Sequence, residues 1–177
     1  MNLLKSDEYP AIYAPYVETV LGDVLEELKL QEERFVEFIE QIPSELENYS
    51  YSPEKWNVKQ VLCHVVDTER VMAYRALRFA RNDMTSLAEF NPDLFVENGN
   101  HEKRSLSSIA EEFLYLRKSN FIFFSQLSEK ELERKGMASG RLISVRALLY
   151  VIAGHLNHHR NILNERYFKS YEKNDLA

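Results

Sequence analysis

Apolar residues along this chain recur at steps of three and four, the spacing of a helical face, and strict two-residue alternation is absent throughout. The first such stretch runs over about 22–42, where Val24, Leu28, Phe35, Phe38 and Ile42 share a stripe and Pro43 follows as a stop. A second covers about 58–82, opened by Asn57 as N-cap with Gln60 reaching back in a capping box. A third covers about 106–127, carrying Leu106, Ile109, Phe113, Leu116, Phe123 and Leu127 behind the N-cap Ser105. After a short helical piece marked by Ser128 and Glu131, and a "GMASG" loop, Ser144 caps a last helix over about 145–168. The stretch 83–104 has turn residues and no sustained period, so it reads as a crossover that wraps the bundle or as a lid. Four amphipathic helices and one long connection predict an all-α, four-helix bundle in a single domain spanning 1–177.

Composition narrows the roles open to such a bundle. The net charge of −6 with no basic block argues against a nucleic-acid partner. The longest apolar runs, "ALLYVIAG" and "FIFF", are too short for a bilayer, so no membrane association is expected. The opening "MNLLKSDEYP" has neither a basic nor an apolar leader region, and the lone Cys63 suits a reducing compartment. Together they lead to an expected cytoplasmic location. The charge-rich "DVLEELKLQEERFVEFIEQ" of the first helix reads as a solvated face.

Histidine carries the candidate chemistry. The chain has five, and three of them fall within "GHLNHHR". Val145, Leu148, Ile152, His155, His159 and Ile162 step along one stripe, which places His155 and His159 at core positions one turn apart. Their Cβ atoms lie about 6 Å apart, close enough to converge on one ion, while His158 points to an edge. On the second helix His64 lies near the stripe of Val61, Val65 and Thr68, so it can face the pair as a third ligand. A three-histidine site with open positions polarises a bound water, thiol or carbonyl. Asp67 and Glu69 are the nearest candidates to orient the imidazoles from behind. Buried, hydrogen-bonded histidines fit the same pattern, and periodicity leaves the two readings level.

Other metal and nucleophile patterns are missing. Leu156 follows His155 where a metalloprotease helix needs glutamate, and no Glu-x-x-His pair or G-x-S-x-G turn occurs. Cys63 and His64, adjacent on a helix, point about 100° apart, so Cys63 reads as a packed thiol. Arg75 lies on the azimuth of His64, about 16 Å along the axis, and reads as a salt-bridge partner within the bundle before an anion binder. Trp56 reads as a hydrophobic staple.

The segments "PEKWNVKQVLCHVVDTERVMAYRALRFAR" and "SVRALLYVIAGHLNHHRNILNERY" resemble the DinB superfamily, particularly its YfiT-like members, and the likeness extends through "SLSSIAEEFLYLRKSNFIFF". This resemblance implies a four-helix bundle with a three-histidine divalent-metal site, carried over by motif to His64, His155 and His159. It also implies the chemistry of bacillithiol transferases, a mycothiol-dependent isomerase and metal-dependent hydrolases. The function expected from it is a metal-dependent S-transferase in which the ion activates a low-molecular-weight thiol toward an electrophile. The alternatives are hydrolysis with a metal-activated water, and a non-catalytic bundle that binds a ligand or partner with a structural metal or none. Zinc or nickel is the expected ion, although imidazole ligands alone also suit copper and iron. Small-molecule thiol and electrophile are the expected partners, with homodimerisation through helix faces a further expectation.

Overall fold

The computed structural model describes residues 4–171, so both ends of the domain drawn over 1–177 lie outside the described residues. Four long helices carry the fold: α2 (Val24–Glu40), α3 (Val58–Ala80), α5 (Leu106–Phe124) and α7 (Val145–Ile162). Shorter pieces fill the connections: α1 (Ala14–Val17), α4 (Pro92–Asn98), α6 (Glu129–Leu132) and a hairpin of β1 (Lys135–Ala138) and β2 (Arg141–Ser144). Each expected cap is in place. Asn57 and Gln60 form a reciprocal capping box on α3, Ser128 and Glu131 do the same on α6, and Ser105 and Ser144 accept from the amides of Ser108 and Ala147. Beyond Ile162 the chain continues through a wide π-helical turn over Leu163–Phe168.

α2 packs chiefly on α5, and α3 chiefly on α7, with α3–α5 and α2–α7 contacts closing the ring. The apolar core has two clusters, one at each end of the bundle. α2 and α7 run from the cluster containing Leu28 and Leu148 toward that containing Phe35 and Leu156, while α3 and α5 run the opposite way. The consecutive long helices α3 and α5 are therefore parallel neighbours, and 83–104 must carry the chain back along the bundle. The long crossover expected from the sequence is this segment. Leu87 docks it onto the hairpin, exchanging backbone bonds with Met137 and Ser139.

Between the apolar clusters lies a polar layer that the helical pattern did not foretell. Arg117 is fully buried, and its guanidinium grips both carboxylate oxygens of Glu69 at 2.8 Å. Its remaining arm donates to Gln31 Oε1 at 2.7 Å and to the Leu28 carbonyl. Gln31 Nε2 donates in turn to Glu27, the Ala153 carbonyl and Asn157, so all four helices are joined. Glu27, Gln31 and Glu32 belong to the stretch read as a solvated face. Gln31 and Glu32 are buried, because partners on α5, on α7 and at Lys29 satisfy them. Arg117 is buried beside Leu116, which packs against the core as its spacing predicts.

Two further expectations are corrected. The "GMASG" loop is part of the hairpin, turned by Ser139 and Gly140 at φ 52° and 70°, the conformation a two-residue hairpin turn requires. Four-residue strands are too short for alternation to register. Among the described residues Arg75 has no carboxylate partner: it is buried and donates to the Ala88 carbonyl and Ser139 Oγ, both at 2.9 Å, tying crossover to hairpin. At the other side of the bundle, Gly154 admits the N-terminal segment. A Cβ there would stand 2.1 Å from the Tyr16 carbonyl oxygen, so only glycine lets α1 lie against α7.

Removing one partner from the buried pair leaves an uncompensated charge, so Arg117→Ala is expected to cost about 3–5 kcal/mol of unfolding free energy. Replacing both, Arg117→Met with Glu69→Leu, should recover most of that loss. Urea titration checks both, and a cost below about 1 kcal/mol for the single variant would contradict the structural role.

Candidate metal centre

The pairing of α3 with α7 brings together the three histidines singled out in the sequence. One ring nitrogen from each of His64, His155 and His159 lies within 4.8 Å of the others, the only such grouping of ligand-type side chains among the described residues. His64 Nε2 and His155 Nε2 are 3.0 Å apart, and the ring centroids of His159 stand 4.9 and 4.4 Å from those of His64 and His155. His158 sits at the rim, half-buried, in edge contact with His159 and Tyr16.

The electrostatics favour neutral imidazoles. Burial lowers His64 to about 4 and His159 to about 3, the latter helped by His64 and His158. His155 is held well below its ordinary value by burial and then by its histidine neighbours. Three neutral rings cannot all satisfy one another. His64 and His155 share one hydrogen bond, and His159 Nδ1 is buried without a partner among the described residues. A divalent cation fits this donor set. Nitrogens 2.0–2.1 Å from a common ion lie about 3–3.4 Å apart, the separation that His64 and His155 already have.

The surroundings were only partly legible. Behind His64, Thr68 Oγ1 stands 3.4 Å from Nδ1, a place assigned in the sequence to Asp67 or Glu69. Neither carboxylate serves. Glu69 turns away to Arg117, and Asp67 faces Arg70, His101 and Arg104. The cause is helical phase: four residues on from His64 is one turn, whereas three and five diverge to either side. Cys63 is buried with its thiol pushed up to about 11, a packed and unreactive residue as read from the sequence.

Trp56 does more than staple the helix. Its ring lies 4.8 Å from that of His64 and, with His159, it lines a cavity of about 330 Å³. Tyr51, Val61, Asp93, Ile162, Arg166 and Tyr167 form other parts of the wall. Tyr167 Oη donates to the Trp56 carbonyl at 2.7 Å and fixes this side. On the opposite flank Tyr16 packs edge-on to His155 with centroids 5.3 Å apart. Asp93 is the carboxylate whose charge reaches His64. Thr68 was legible by spacing, whereas Tyr16 and Asp93 sit in short, aperiodic segments that give no such signal.

A four-helix bundle with one long crossover thus brings three imidazoles together in its core. The DinB superfamily model matches residues 27–163, and the chain belongs to that superfamily. In structure it is similar to YfiT from Bacillus subtilis, described as a probable metal-dependent hydrolase with an unusual four-helix bundle topology. That likeness has a TM-score of 0.70 at 14% identity, over 98% of this chain and 91% of the other. No curated protein matches the chain. No helix among the described residues is long and apolar enough to cross a membrane.

Untagged protein is expected to carry about one divalent ion per chain by elemental analysis, and His64→Ala, His155→Ala or His159→Ala to lose it. Full occupancy in all three variants would contradict the site. In metal-free protein the unfolded chain takes up protons near pH 6.5 that the buried rings refuse until about pH 4 or below. Because the unfolded state binds more protons across that window, stability should fall as pH drops, by at least ~2 kcal/mol. Denaturant midpoints from pH 7 to 4.5 check the sign, and His159→Gln should flatten the slope.

Proposed function

We propose that this chain is a divalent-metal-dependent S-transferase acting on a low-molecular-weight thiol. The observation that supports it is a buried three-imidazole cluster with no carboxylate among its donors, beside a cavity that His159 itself lines. A zinc or nickel ion held by His64, His155 and His159 would supply Lewis-acid chemistry, acidifying a coordinated thiol so that its proton is lost to solvent near neutral pH. The protein's part is to hold three neutral imidazoles in place and to shield them. Thr68 supports His64 from behind, while Trp56 and Tyr16 cover two flanks of the cluster. Cavity walls of aromatic and charged residues hold a small molecule against His159. In the overall reaction the thiol sulfur bonds to the electrophilic carbon as the carbon–leaving-group bond breaks, and the thiol proton departs with the displaced group.

A second reading, hydrolysis, is favoured by Asp93. This carboxylate lines the cavity and acts electrostatically on His64, a position suited to taking a proton from an attacking water. YfiT, described as a probable metal-dependent hydrolase, is consistent with it. The two readings part on thiol dependence. Zinc-loaded protein should turn over 1-chloro-2,4-dinitrobenzene only with added thiol, and His159→Ala should lose about 100-fold or more of that rate. Equal turnover of an activated ester with and without thiol, lost on chelation, would instead establish the hydrolase.

A further inference from the structure

The cavity beside His159 is walled by charges of both signs. Lys55 and Arg166 contribute the positive pair, Glu54 and Asp93 the negative pair, and Tyr51, Trp56 and Tyr167 the flat faces between them. No ion pair among the described residues engages any of these four charged side chains. Elsewhere on the surface opposite charges are paired: Arg70 and Arg104 meet Glu112, Arg81 meets Glu131, and Lys135 meets Asp7. All four charged side chains of the cavity are exposed at its rim, where they are free to turn toward a bound molecule.

Backbone devices set where these residues leave the chain. The wide turn over Leu163–Phe168 brings both Arg166 and Tyr167 to the wall that already carries His159 and Ile162. Asn91 caps α4 by accepting from the amides of Asp93 and Leu94, which sets Asp93 at the start of that helix. The Asn57–Gln60 capping box and the Tyr167–Trp56 bond hold the segment that supplies Glu54, Lys55 and Trp56. Asp93 lies on the side of His64, and Arg166 on the side of His158 and Tyr167.

We infer that the cavity holds a small zwitterion, and that the thiol substrate is of the α-amino-acid type. Its carboxylate meets Arg166 and Lys55, and its ammonium meets Asp93 and Glu54. This leaves a short thiol side chain to reach the three histidines. A carboxylate suits the planar fork of Arg166, and an ammonium suits a carboxylate wall. Thiols carrying one charge or none leave one or both of these pairs unmatched. This inference rests on the thiol-transfer reading.

The test uses full-length protein loaded with cobalt(II), in which sulfur–cobalt absorption in the near ultraviolet reports thiol binding without turnover. Titrants are L-cysteine, L-cysteine ethyl ester, which lacks the carboxylate, and N-acetyl-L-cysteine, which lacks the ammonium. L-cysteine should bind about tenfold or more tighter than the ester, and Arg166→Gln should erase that advantage while leaving the ester unchanged. Asp93→Asn should weaken L-cysteine about tenfold and spare N-acetyl-L-cysteine. Sulfur–cobalt absorption with equal affinities for all three thiols, unmoved by either variant, would overturn the zwitterion and leave thiol activation standing. Absence of the band with every thiol, on protein holding its cobalt, would overturn both.

Discussion

The antiparallel packing of α3 on α7 is the contact on which the site depends, because it sets imidazoles from two distant parts of the chain against one another in the core. Burying three titratable rings side by side is unfavourable unless they stay neutral, and neutral rings have lone pairs to share. One hydrogen bond between His64 and His155 uses part of that capacity and leaves His159 Nδ1 unmatched. A core that tolerates this arrangement is suited to a cation. The site and the bundle are thus one construction, with the helix interface serving as the ligand cage.

The polar layer beside the histidines is what keeps this interface in register. Arg117 and Glu69 bind α5 to α3, and Gln31 with Asn157 binds α2 to α7 within a turn of His155. Such buried pairs contribute little net stability over apolar replacements, but mismatched alternatives leave charges unpaired. Sliding either helix pair by one turn would break the Arg117 contacts and separate the imidazoles together. The overhand crossover 83–104 adds the outer wall: it carries Asp93 to the cavity and is tied to the hairpin through Arg75 and Leu87.

Much of this was legible in the sequence because helices announce themselves. The four long helices, their caps and the inward phase of His64, His155 and His159 follow from three-four spacing and from side chains that complete amide hydrogen bonds. What escaped depends on tertiary partners. Gln31 and Arg117 are buried because distant residues satisfy them, and Glu32 because Lys29, one turn back, pairs with it. The hairpin was hidden by strands of four residues, and Arg75 by partners that are a backbone carbonyl and a hydroxyl. Tyr16 and Asp93 reach the site from short segments without period, while Trp56 was visible as a staple and not as a wall.

The central claim is that three imidazoles hold an ion with room for a thiol. X-ray absorption on zinc-loaded protein, before and after saturation with L-cysteine, tests it most directly. The account predicts three imidazole nitrogens at about 2.0–2.1 Å, joined after addition by one sulfur at about 2.3 Å. Fewer than three imidazoles in the first spectrum, or a coordination shell without sulfur in the second, would contradict it.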